Sequence, residues 1–106
     1  MEQNQEAIIF QIITHVGTAK SLYVNAVQEA KKGEFEKANS LIEEGKKVFA
    51  EGHHFHQDLL QAEAQGNLKM GLLLTHAEDQ LMSAETIYLL ATELIDLYKI
   101  QKKEKN

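Results

Sequence analysis

The stretch EFEKANSLIEEGKKVFAEGHHFHQDLLQAEAQ, Glu34 to Gln65, decides the fold. Phe35, Ala38, Ile42, Gly45, Phe49, Gly52, His56, Leu59 and then Ala62 or Glu63 recur at steps of three and four. That period lines one face of a helix. Gly45 and Gly52 fall on this packed face, where a missing side chain lets a neighbouring backbone come close. Gly66-Asn67 ends the segment.

Upstream, Ile9, Ile12, Ile13, Val16, Ala19, Tyr23, Ala26, Val27 and Ala30 keep the same spacing and predict a helix from about Gln3 to Lys32. Gly17 interrupts it at a cost of about 1 kcal/mol relative to alanine. Gly33 is a candidate C-cap with lysines in the last turn before it. Downstream, residues 66 to about 74 read as a connection. A third helix is expected from about Thr75 to Lys103, with Leu81, Ala84, Ile87, Tyr88, Ala91, Leu94, Ile95 and Tyr98 on one side. Thr75 is its candidate N-cap and Glu78 would complete a capping box, placing His76 in the first turn. Each helix is expected to be about 28 residues, roughly 42 Å long. The pattern predicts an all-α, antiparallel up-down-up three-helix bundle, one domain over 1–106. Leu89, Leu90 and Leu97 widen the apolar face of the third helix. They predict self-association through a second packing surface, or else a broad core stripe with some exposed leucines.

The composition agrees. Among 106 residues there is no proline and no cysteine, and six glycines are the only strong breakers. Without cysteine there is no disulfide framework, thiolate metal site or cysteine nucleophile, and the chain suits a reducing cytosol. The net charge is −5 and all 11 cationic residues are lysine, which argues against nucleic-acid binding. Lys102, Lys103 and Lys105 form a cationic cluster that suits the negative end of a helix. Met1 to Glu6 carry no basic residue, unlike a signal peptide, and no obvious apolar run approaches a membrane span.

Few residues carry chemistry. His53 and His56 are i, i+3 and could share an ion, but no third ligand is evident. Glu51-x-x-His54 has the spacing of di-iron bundles without the second copy such sites need. His56 reads as packing on the seam, and His15 has no identifiable partner. His76 is a surface histidine or a nucleophile, since neutral imidazole can accept a phosphoryl group and release it. At a helix start it would have free backbone N–H groups for an incoming dianion. Asp79 is a solvated first-turn acid or a ligand. No phosphate loop, nucleotide motif or Ser-His-Asp grouping supports a stand-alone kinase or hydrolase.

Thr75-His76-Ala77-Glu78-Asp79-Gln80-Leu81-Met82 resembles the active-site segment His-(Ala/Gly)-Gln-Asp-His-Leu-Met of the lactose/cellobiose family of phosphotransferase-system IIA proteins. Gly17-Thr18-Ala19-Lys20-Ser21, Gly33-Glu34-Phe35, Glu51-Gly52-His53-His54, Glu63-Ala64-Gln65-Gly66 and Leu97-Tyr98 resemble further family segments in the same order. The resemblance implies a cytoplasmic homotrimer of three-helix subunits, nine helices in all. It implies that His76 receives phosphate from phospho-HPr in a groove between subunits. His76 then passes it to a cysteine of the IIB component while IIC carries the sugar, by resemblance a β-linked disaccharide. Asp79 is implied to hold a divalent metal with its two symmetry copies on the trimer axis; oxygen-only ligation suits Mg²⁺, the favoured ion, or Ca²⁺. Four positions depart from the family pattern: Glu78 replaces Gln, Gln80 replaces His, Lys20 replaces Arg, and His56-Gln57 stands where the family has Gln-Thr. Glu78 and Gln80 motivate the alternative of a non-catalytic helical adaptor or regulatory protein that keeps the fold.

Overall fold

The computed structural model describes residues 2–105, in three helices: α1 (Glu2–Lys31), α2 (Phe35–Ala64) and α3 (Leu72–Lys105). Met1 and Asn106, the ends of the domain expected over 1–106, lie outside the described residues. α1 and α2 both stop on a glycine with positive φ, 86° at Gly33 and 76° at Gly66. After α1, the Gly33 amide donates to the Ala30 carbonyl and the Glu34 amide to the Glu29 carbonyl, each at 2.9 Å. After α2, the Gly66 amide donates to Glu63 at 2.9 Å and the Asn67 amide to Ala62 at 2.8 Å. Both are Schellman motifs, which satisfy the last carbonyls and require a left-handed residue that glycine supplies without strain.

Cross-helix pairs fix the directions. Tyr23 lies on Gly45 and Val16 on Gly52, so α1 and α2 are antiparallel. His56 bonds Glu78 while Phe49, higher on α2, lines a groove with Ala84 and Tyr88, so α2 and α3 are antiparallel as well. The rod measures 59 × 19 × 16 Å. α1 packs along both other helices, whereas α2 and α3 touch each other little. α1 is therefore the shared wall of two core clusters, one around Ile12, Val16, Leu59 and Leu74, the other around Tyr23, Ile42, Ala91 and Ile95. Tyr23 is 2 % exposed and its ring meets Tyr88 at 5.3 Å between centroids. Burial, then the neighbouring Tyr88, pushes its phenol from 10.0 up to about 12, so the ring is a neutral packing element near neutral pH.

The sequence pattern places the seams of α1 and α2 correctly, and Ala62 rather than Glu63 continues the second, since Glu63 is exposed. It places the start of α3 one turn too late. Leu72 begins the helix, and Thr75 donates to the Gly71 carbonyl with both its amide, at 3.1 Å, and its hydroxyl, at 3.0 Å. Thr75 is therefore not a cap. Leu74, 2 % exposed in the core, draws the helix back one turn, because buried leucine outweighs a local capping signal. The expectation of no membrane-length apolar stretch also needs correction. Part of Gln5–Lys31 reaches a mean hydropathy of 1.2, enough by length and composition alone to cross a membrane. Here it is the central helix of the bundle, with Ile12, Val16, Ala19 and Ala26 fully buried.

The two seam glycines differ from a helical glycine with room around it. A Cβ on Gly45 would stand 2.6 Å from Cε1 of the Tyr23 ring, and one on Gly52 would stand 3.1 Å from Val16 Cγ2. A Cβ on Gly17 meets nothing within 4 Å. In urea unfolding, Gly45→Ala should lose about 1–3 kcal/mol through overpacking. Gly17→Ala should gain up to about 1 kcal/mol from helix propensity.

Candidate functional site

The rotation of α3 arranges the site. Leu74, Ala77 and Leu81 are buried against the bundle at 2 %, 1 % and 6 % exposure. At about 100° per residue, His76 lies to one side of Ala77 and Glu78 to the other. His76 and Asp79 are exposed, while Glu78 and Gln80 are half-buried against the neighbouring helices. Asp79 follows His76 by three residues, about 60° round the helix on its solvent side. Among the described residues Asp79 makes no hydrogen bond or ion pair, which leaves its carboxylate available as a ligand.

Two polar bonds tie this segment to the other helices. His56 Nε2 of α2 donates to Glu78 Oε1 at 2.7 Å. The carboxylate can only accept, so Nε2 carries the proton. The other ring nitrogen, His56 Nδ1, is buried without a hydrogen-bond partner. On the α1 side, Lys20 Nζ donates to Gln80 Oε1 at 2.9 Å. The four departures from the family pattern thus meet in space as two pairs.

Several expectations are corrected by these contacts. Glu78 does not close a capping box but turns to α2. His76 lies in the second turn of α3, and because the Thr75 amide is already bonded, the free first-turn amides precede it. They are not the donors around His76 that a helix start would have supplied. His56 is not simple packing. His15 does have partners: its Nδ1 donates to the Gln11 carbonyl at 2.7 Å, and its Nε2 lies 3.0 Å from Glu51 Oε2. Glu51 is thereby engaged away from His54, and His53 and His56 stand 6.2 Å apart between ring centroids. Among the described residues no group of three His, Cys, Asp or Glu could hold a metal within one chain. Neither cross-helix bond is legible from spacing within one helix; the signal available was that His56 and Glu78, and Lys20 and Gln80, are complementary and all depart from one pattern.

The three-helix rod and the chain's sequence can both be compared with known proteins. The profile of the family described as PTS system, Lactose/Cellobiose specific IIA subunit matches residues 7–99. The lichenan-specific phosphotransferase enzyme IIA component of Bacillus subtilis (strain 168) is 39% identical over 100 residues, 93% of this chain and 91% of that protein. The crystal structure of the cellobiose-specific enzyme IIA from Bacillus anthracis superposes with a TM-score of 0.90 at 41% identity, covering 92% of this chain and 91% of that one. The IIA(chitobiose) protein, solved in solution in complex with HPr from the N,N'-diacetylchitobiose branch of the Escherichia coli phosphotransferase system, superposes at 0.81 with 32% identity, over 92% and 95% of the two chains. The chain belongs to the lactose/cellobiose-specific IIA family, a sugar-transport phosphotransferase-system component with a general role in phosphoryl transfer.

The His56–Glu78 bond should be visible as coupling. In a double-mutant cycle with His56→Ala and Glu78→Ala, urea unfolding should give an interaction energy of about 0.5–1.5 kcal/mol, and additive losses would show that the bond contributes nothing.

Proposed function

We propose that the chain is a cytoplasmic phosphoryl carrier that accepts phosphate from phospho-HPr on His76 and hands it to a cysteine of its IIB component. The observation that carries this reading is the exposure of His76 on α3, in the segment that resembles the family's active site. In the first transfer a neutral ring nitrogen of His76 gives its lone pair to phosphorus. The bond from phosphorus to the donor breaks, and its electron pair leaves with the donor. In the second the IIB thiolate attacks, and the phosphorus–nitrogen bond returns its pair to His76. No stand-alone kinase chemistry is needed, and positioning does most of the work. The relative solved in complex with HPr supports the donor. The sugar is a β-linked disaccharide or its oligomer, supported by relatives named for lichenan, cellobiose and N,N'-diacetylchitobiose. The carrier does not contact it; the membrane component, IIC, does.

A homotrimer is the working form in this reading. Among the described residues, seven of the sixteen buried hydrophobic ones are alanines, including Ala77, Ala84 and Ala91 of α3. Larger apolar side chains of α3 face out instead: Leu90 and Leu94 on the flank of His76, and Met82, Leu89 and Ile100 on the flank of Glu78. Leu90 is 57 % exposed and Leu89 63 %. Between α2 and α3 runs a groove of about 360 Å³ with Tyr23 as its floor and Phe49 and Leu89 in its walls. Two apolar flanks with the free Asp79 carboxylate between them suit a helix near a three-fold axis, each flank covered by another copy. Three converging Asp79 carboxylates would repel, and a bound Mg²⁺ would supply the charge that joins them. That ion is structural and takes no part in the transfer.

The second reading is an adaptor that keeps the fold without accepting phosphate, motivated by Glu78 and Gln80. The His56–Glu78 bond counts against it, because it turns the extra carboxylate away from His76 toward α2.

Labelled phosphoenolpyruvate, enzyme I and HPr should place acid-labile phosphate on the wild type and none on His76→Ala. No label on the wild type, while a known IIA protein labels in parallel, would leave the adaptor reading in possession. By analytical ultracentrifugation, Asp79→Leu should remain trimeric after chelation of divalent cations; a monomeric variant beside a trimeric wild type would refute the axial role.

A further inference from the structure

We propose that Lys20 is a positioning and charge-compensating residue for phosphoryl transfer, the cation that pairs with the phosphoryl oxygens on His76 and is held on that face by Gln80. This rests on His76 being the phosphate acceptor. Lys20 stands on α1, half-buried, and its ammonium donates to the Gln80 side-chain carbonyl at 2.9 Å. Gln80 is one helical turn beyond His76, about 40° round α3. Long helical side chains lean toward the N-terminus of their own helix, which brings the Gln80 amide back over the turn that carries His76. α1 and α3 run parallel, so the Lys20 side chain leans the same way.

The partner of this lysine is what marks it. A lysine that only tied two helices together would gain most from a carboxylate, and two stand close in sequence to Gln80. Glu78 is bonded to His56 on the far side of α3, and Asp79 faces solvent. Lys20 instead meets a neutral amide, which holds the ammonium without neutralising its charge. Among the described residues it has no other hydrogen bond or ion pair. An ammonium has three donors and Gln80 takes one. A dianion arriving one turn away can use the others, or displace the amide. Charge-assisted bonds to a phosphoryl oxygen are stronger than those to an amide, so the contact strengthens as charge arrives. With the free first-turn amides lying before Thr75, a side-chain cation is the donor this face offers.

The test compares wild type, Lys20→Gln, Lys20→Arg and His76→Ala. It reads initial rates of labelling from phospho-HPr and the ³¹P shift of the phosphorylated protein. Lys20→Gln keeps an amide able to bond Gln80 and removes the charge. Its rate should fall about 10- to 100-fold and its ³¹P signal should move, with helix content and melting temperature unchanged. Lys20→Arg should recover most of the rate, as a purely polar tether would not require. A Lys20→Gln protein that labels at the wild-type rate with an unshifted ³¹P signal overturns the proposal. If Lys20→Gln loses helix content, Gln80→Leu decides: a several-fold slower rate with the fold intact is expected, and the wild-type rate overturns the proposal. A wild type that takes no label overturns the His76 reading and this one with it, a result read before any Lys20 variant is compared.

Discussion

Burial of Ala77 against α1, with Leu74 one turn before it and Leu81 one turn after, fixes the rotation of α3, and the rest of the site depends on it. A helix advances about 100° per residue, so once Ala77 points inward its neighbours have no freedom of direction. His76 must emerge on one flank and Glu78 on the other, where α2 offers His56. Gln80 must return toward α1, where Lys20 waits, and Asp79 must face solvent. One apolar contact assigns four polar residues to four directions. A shift of the core position by one residue would send His76 into the bundle, away from solvent.

How much of this was legible in the sequence follows from the range of each interaction. The seams of α1 and α2 and both glycine stops were legible, because period and capping are properties of one segment. The start of α3 was misread because Thr75 and Glu78 form a good local capping signal that loses to something not local. Burying Leu74 in the core outweighs a cap, and Gly71 then receives both bonds from Thr75. The His56–Glu78 and Lys20–Gln80 bonds were illegible for a related reason. Each joins residues 22 or 60 positions apart, and no spacing rule within a helix connects them. Departures from a family pattern looked like four separate losses in one dimension; in three dimensions they are two contacts.

The alanine-rich core explains both the closeness of the helices and the leucines left outside. Alanine at Ala19, Ala26 and Ala84 and glycine at Gly45 and Gly52 let α1 lie close against its partners, with the Tyr23 ring over Gly45. A core made of small residues removes little apolar area from water per residue, so the rod gains less from its own folding than its length suggests. The large aliphatic side chains of α3 face out on both flanks because the small residues occupy its inner face.

The proposed carrier role of His76 sets an electrostatic requirement that differs from that of a binding site. A pocket of several fixed cations would hold a dianion tightly, and that affinity would be lost as rate in the onward step, since only interactions stronger in the transition state accelerate transfer. Among the described residues, the contacts of this stretch of α3 are one lysine tied to a neutral amide and an acid turned away by a histidine, with a second acid facing solvent. In the proposed carrier, one ammonium would lower the barrier for arrival without making departure costly. If His76 carries phosphate as proposed, it needs neighbours that are balanced rather than strongly attractive, and the two cross-helix bonds fit that requirement.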